Sequence, residues 1–179
     1  MAAEEQRVED REPLSSRFMR PLSREPAPPK RYEAPEVYGV RAIANVVRAL
    51  PLFERTYATI RFSILRPKLL SVMDLLLPDE GRILDIGCGF GLFAAYFAQT
   101  QPGRSIVGVD PDAKRIDLAR HVAKGVGLES NEYIAGDARD VNLEGKFAGA
   151  YILDVMHHIP GDDQIALLER LRDLLLPRG

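Results

Sequence analysis

Ile83-Leu84-Asp85-Ile86-Gly87-Cys88-Gly89-Phe90-Gly91 reads as a buried strand that runs into a glycine-rich turn and opens a helix. Residues without a Cβ take positive φ readily and let a ligand lie against the backbone, whose N–H groups face the helix N-terminus. A turn of this kind suits a nucleotide. Dinucleotide sites use a related turn with the spacing G-x-G-x-x-G. Here that last position is Leu92, and glycine falls one place early, at Gly91. Asp85 stands two residues before the first glycine. A pyrophosphate is repelled by that carboxylate, whereas a cationic amino group is attracted to it.

On either side of the turn, short apolar runs alternate with helical patterns, which implies a parallel sheet with helices on both faces. Strands are expected at Arg82 to Ile86, Ser105 to Asp110, Glu132 to Ala135 and Phe147 to Asp154. Helices are expected at Leu92 to Gln99, Ala113 to Ala123 and Asp162 to Leu176, the last capped by Asp162 or a neighbour and turning Ile165, Leu168, Leu171 and Leu175 inward. Before the sheet, three helical patterns are punctuated by proline: Pro35 to Leu50, Leu52 to Leu65, and Pro67 to Leu77. They are expected to pack against the sheet or over its ligand edge. Residues from Met1 to about Pro35 mix charges with six prolines and few large apolar side chains, so this stretch is expected to be a disordered tail. The resulting division is a tail over 1–35, a helical segment over 36–80 and a ligand-binding domain over 81–179.

Two more acids end strands. Gly108-Val109-Asp110 closes the second, about where such folds hold a ribose diol, and a carboxylate can accept from both hydroxyls. Gly136-Asp137-Ala138 closes the third, where an acid can accept from an adenine amino group. Any one of these residues alone is equally a turn or capping residue. Three in this order point to a ligand.

The 179 residues suffice for one domain with an extension, and 46% hydrophobic with 28% charged residues is a globular composition. With a net charge of -2 and no dense Lys/Arg stripe, nucleic acid is not an expected partner. The single cysteine, Cys88, excludes an internal disulfide and suits a reducing compartment, and no metal site is expected. Neither a secretory signal nor an apolar run of roughly 18 residues is visible, so the expected location is the cytoplasm.

ILDIGCGFG, GVDPD, AGDARD and YILDVMHHIP together resemble the successive motifs of class I S-adenosylmethionine-dependent methyltransferases. The resemblance covers roughly Arg82 to Gly179. It implies a Rossmann-like, doubly wound α/β fold and an enzyme moving a methyl group from S-adenosylmethionine to a small-molecule or lipid-like acceptor. Of the family's binding positions, Asp85, Gly87, Cys88, Gly89 and Gly91 fall at the methionine loop. Asp110 and Pro111 fall at the ribose, Asp137 and Ala138 at the adenine, and Leu153 at the end of the fourth strand. Cys88 is a habitual small residue there, which implies packing.

Direct displacement at a sulfonium needs alignment more than acid–base help, since orientation alone supplies about 7–11 kcal/mol. His157 is the candidate base in His157-His158, although paired histidines at this position imply packing or capping first. Tyr57, Arg61, Arg66 and Lys68 read as a solvated basic face, with a lid or a contact to anionic lipid as the other possibility. Leu174 to Gly179 resembles the turn before the family's fifth strand, so the family's later strands fall outside this sequence. The fourth strand is then expected to present an open apolar edge where self-association or a partner would act. Two rival functions remain at this point: a non-catalytic cofactor-binding or interaction module, and a nicotinamide-dependent oxidoreductase, which the Gly91 spacing and Asp85 oppose.

Overall fold

Three helices precede the sheet in the computed structural model, which describes residues 35–65 and 67–177. They are α1 (Pro35–Ala49), α2 (Leu52–Ile64) and α3 (Pro67–Leu76). Proline opens α1 and α3, and Pro51 stands at the N-cap of α2, positions that spare the chain a lost hydrogen bond. The expected disordered tail, Arg66 and the last two residues lie outside the described residues.

Four parallel strands follow: β1 (Glu80–Ile86), β2 (Gly103–Asp110), β3 (Glu132–Ala135) and β4 (Gly149–Ile152), in the order β3-β2-β1-β4. The helix α4 (Leu92–Thr100) joins β1 to β2, α5 (Ala113–Gly125) joins β2 to β3, and α6 (Gly161–Leu174) follows β4. Alternation along the strands separates two cores. Ile83 and Ile106 join α4, α5 and the N-terminal helices, while Leu84, Ile86, Val107 and Val109 meet Leu167 and Leu171 of α6. Helices on both faces make the doubly wound α/β architecture expected from the sequence. The strand order reverses beside β1, and the carboxyl ends of strands at such a switch point form the crevice where these sheets bind ligands.

The N-terminal helices divide between the two expected places, the sheet and its ligand edge, and a third, the outer side of α4. All of α4 from Leu92 to Ala98 is buried, so this helix needs apolar cover on its outer side as well. Ala42, Val46 and Leu50 of α1 join that cluster, and Asn45 donates to Gln99 at 3.0 Å. Thus α1 forms an extra layer on α4, and α2 alone reaches the ligand edge. A buried ion pair between Asp74 of α3 and Arg104 of β2, with Arg104 Nε also donating to Pro78 O at 2.6 Å, ties the third helix to the sheet.

Smaller corrections concern the fourth unit. β4 is shorter than Phe147 to Asp154, because Leu153 and Asp154 leave the sheet and Asp154 takes a left-handed φ of 60°. Phe147 instead makes an isolated parallel bridge with Leu175, donating to Leu174 O and accepting from Leu176 N. The expected open edge is therefore occupied at this one rung. Helix α6 stops at Leu174, since Leu175 is extended, and Pro160 occupies its N-cap with no side-chain cap. Asp162 sits in the first turn, where the helix dipole favours an acid. Leu167 and Leu171 face the core, while Ile165 and Leu168 are exposed.

Candidate functional site

Each loop glycine has a different reason to lack a side chain. All three have positive φ: 72° at Gly87, 55° at Gly89 and 74° at Gly91. A Cβ on Gly87 would lie 2.2 Å from Val155 Cγ2, so this residue lets the segment after β4 close against the loop. On Gly91, at the N-cap of α4, it would lie 3.0 Å from Ala119 Cβ and 3.1 Å from the Tyr133 hydroxyl, so this residue lets α4 pack on α5 and β3. A Cβ on Gly89 would meet nothing within 4 Å. Gly89 therefore borders open space, which is the cavity.

That cavity, of about 710 Å³, lies over the carboxyl ends of β1, β2 and β4. Its floor holds Asp85, Gly87, Cys88, Gly89, Asp110, Pro111 and Leu153, so the structure brings together most of the expected binding set. Gly91, Asp137, Ala138 and His157 are not among its lining residues. Gly91 serves helix packing. Asp137 is held by Arg139, whose Nη2 reaches Oδ2 at 2.6 Å and whose backbone N–H reaches Oδ1 at 2.9 Å. The Arg139 side-chain hydrogen bond holds the Asp137 carboxyl below the usual carboxylate range. Of the two histidines it is His158 that lines the cavity, while His157 Nδ1 sits 3.6 Å from Asp154 Oδ1.

Two buried carboxylates dominate the electrostatics of the floor. Asp85 accepts a hydrogen bond from the Tyr151 hydroxyl at 2.9 Å. Burial pushes its pKa up from 3.8 to about 7, against the Tyr151 hydrogen bond, which lowers it, and with a further rise from the charge on Asp110. Asp110 Oδ2 accepts from Gly89 N and Oδ1 from Asp112 N, both at 2.9 Å. Asp112 in turn caps α5, accepting from the backbone of Lys114 and Arg115. Burial pushes the Cys88 thiol far up, which makes it a poor nucleophile and agrees with the packing role.

The outer end of the cavity comes from α2 and the segment after β4. Phe53, Glu54, Tyr57 and Arg61 line it from the helix, facing Asp154 and His158. Tyr57 packs against Phe90 with its ring tilted by 55° and the centroids 5.3 Å apart, and Arg61 Nη1 donates to Asp154 Oδ2 at 2.6 Å. The guanidinium holds the Asp154 carboxyl below its ordinary range. Tyr57 and Arg61 thus line the cavity, closer to the lid alternative than to a purely solvated face, and Tyr57 stays half exposed. Tyr151, Phe53 and Asp154 were not expected as site residues, and His158 stood behind His157 in the histidine pair. Only the strand alternation that turns Tyr151 to the Asp85 side, from β4 onto β1, carried any sequence signal.

A family model described as "Methyltransferase domain" matches residues 83–179, more than half of the chain. The chain belongs to the methyltransferase domain family. The match runs from Ile83, within β1, past the end of α6 and so contains the glycine loop and both acids of the cavity floor. Among curated relatives, this methyltransferase domain is 34% identical over 98 residues to a ubiquinone biosynthesis O-methyltransferase of Nitrobacter winogradskyi, covering 55% of this chain and 36% of the relative. To the protein of the same name from a Chelativorans species it is 38% identical over 104 residues, covering 57% and 39%. The chain therefore spans well under half the length of these relatives. Among solved structures, PKMT2 from Rickettsia typhi in complex with AdoHcy superposes with a TM-score of 0.52 at 30% identity, covering 57% of this chain and 21% of that one. The PH0226 protein from Pyrococcus horikoshii gives 0.54 at 31% identity, covering 68% and 54%.

Proposed function

We propose that this methyltransferase domain binds S-adenosylmethionine in the cavity at the β1, β2 and β4 strand ends and takes part in methyl transfer to a small-molecule or lipid-like acceptor. The observation that carries the reading is the presence of two buried carboxylates, Asp85 and Asp110, in the lining of one cavity with the open position at Gly89. A volume of about 710 Å³ lies within the ~300–1,000 Å³ usual for ligand sites. Asp85 suits a cationic ammonium. Asp110 keeps lone pairs free beside its two backbone N–H partners, and these suit the ribose hydroxyls. Pro111 and Leu153 offer apolar walls to a purine, while Asp137 and Ala138, expected to hydrogen-bond the adenine, do not line the cavity. The name of the solved PKMT2 complex, which records AdoHcy, supports the same cofactor class.

When bound, S-adenosylmethionine supplies a methyl group already activated by its sulfonium. The task left to this chain is alignment and exclusion of water, which Tyr57, Phe90 and the Arg61–Asp154 pair perform around the outer end. In this reading His158 takes up a proton from an acceptor there, supported by its position in the cavity lining, from which His157 is absent. The names of the curated relatives favour oxygen as the acceptor atom. Incubation with methyl-labelled S-adenosylmethionine and catechol as a model acceptor tests this reading, with label on the catechol oxygen as the expected result. Cofactor binding without label on catechol or on an amine or thiol probe would overturn the transferase part.

A further inference from the structure

Single exposed apolar side chains are ordinary on a protein surface, but contiguous rows are not. Thirteen large hydrophobic residues are exposed among the described residues, and nine of them fall on α2 and α3. On α2, Phe53, Tyr57, Ile60 and Ile64 recur at spacings of four, three and four, which places them on one face of the helix. Phe53 is 86% exposed and Ile64 65%. The core of the domain takes a different face of the same helix, with Ala58 and Phe62. Phe53 and Tyr57 also line the cavity, so the row begins at the cavity mouth and runs outward along α2.

Charge narrows the occupant. Between Leu52 and Leu77 the sequence carries Arg55, Arg61, Arg66 and Lys68 against Glu54 and Asp74; Asp74 is buried against Arg104 and Arg61 is paired with Asp154, which leaves Arg55, Arg66 and Lys68 in excess over Glu54. Glu54 is then the one acid left on this segment outside the core. A row of aromatic and branched aliphatic side chains on a segment with a basic excess is the pattern of a helix that lies in the headgroup layer of an anionic membrane. We propose that α2 docks on an anionic lipid bilayer surface through Phe53, Tyr57, Ile60 and Ile64, with the cavity mouth turned toward the lipid. Docking in this orientation presents the mouth to apolar acceptors dissolved in the bilayer. That consequence rests on the methyl-transfer reading, whereas the docking itself does not.

The test is flotation of the full 179-residue chain with vesicles of phosphatidylcholine alone and of phosphatidylcholine mixed in equal parts with phosphatidylglycerol. Sedimentation velocity without vesicles and titration with S-adenosylhomocysteine run in parallel. The chain is expected to float with the mixed vesicles, and less so with phosphatidylcholine alone or at high salt, where charge attraction is screened. The double variant Ile60→Ser, Ile64→Ser should bind the mixed vesicles at least about tenfold more weakly. Its affinity for S-adenosylhomocysteine should be unchanged, because neither residue lines the cavity. Absence of flotation by a folded chain, or equal flotation of the variant, overturns the proposal. A dimer in solution that the double variant loses also overturns it, by assigning the row to a second copy. Flotation without S-adenosylhomocysteine binding upholds the docking and sinks the methyl-transfer reading instead.

Discussion

Asp110, at the end of β2, accepts a hydrogen bond from the backbone N–H of Gly89, in the loop after β1, at 2.9 Å. The same carboxylate takes the N–H of Asp112 at 2.9 Å. The residue best placed for a ribose is therefore also the clasp that closes the glycine loop, and its loss has two consequences.

Asp110→Ala should weaken S-adenosylhomocysteine binding by roughly 3 kcal/mol or more, about a hundredfold, through loss of charged hydrogen bonds. It should also lower stability by about 1–3 kcal/mol, because two backbone donors lose their acceptor. Asp110→Asn keeps one acceptor oxygen and should fall between alanine and the parent on both measures. Titration calorimetry and urea unfolding of the three proteins separate the two effects.

The loop glycines should fail in different ways. Gly87→Ala forces a side chain into Val155 at a left-handed φ, and should cost on the order of 3 kcal/mol of stability. Gly89→Ala meets no protein atom and should cost only about 1–2 kcal/mol, for its φ alone. Its Cβ points into the space assigned to the cofactor, so its affinity should suffer more than its stability. Equal unfolding midpoints for the two variants would contradict this reading of the loop.

Asp85 gives the domain a defined pH dependence. The folded protein keeps a proton on Asp85 up to about pH 7, whereas an unfolded carboxyl near 3.8 has already lost it. Folding therefore takes up a proton in that window, and the contribution of Asp85 to stability declines as pH rises from about 4 through 7. Asp85→Asn should remove this decline, and Tyr151→Phe, which deletes the hydrogen bond favouring the carboxylate, should extend it to higher pH. Binding of a cationic ammonium needs the ionised form, so affinity should rise through pH 7 with release of a proton. Unfolding at pH 5 and pH 8, with calorimetry in two buffers of different ionisation heat, measures both.

The strand ends and the glycine loop were legible in the sequence because Asp85, Gly87, Gly89 and Asp110 each follow from a local pattern, an apolar run ending at an acid or a turn. The outer end of the cavity was not. Arg61 and Asp154 are 93 residues apart and meet only because α2 folds over the sheet edge, which no periodicity of either segment announces. The inward face of α6 was misjudged for another reason: leucines at 167, 168, 171, 174 and 175 fit more than one helical face. Only packing against Leu84 and Val107 decides for Leu167 and Leu171. Asp137 was legible as a strand-end acid, but its capture by Arg139 two residues later depends on side-chain geometry that spacing leaves open.

Titration of S-adenosylhomocysteine into the folded chain, with NADH titrated in parallel, tests the central claim most directly. Saturable binding at one site is expected for S-adenosylhomocysteine. At about a hundred times its dissociation constant the ligand should add ~2.7 kcal/mol of stability, seen as a higher melting temperature. NADH should give neither heat nor shift, because the Asp85 carboxylate and the Gly91 spacing disfavour a pyrophosphate. A folded sample that shows no heat and no melting shift with S-adenosylhomocysteine, or that prefers NADH, would contradict the assignment of the cavity.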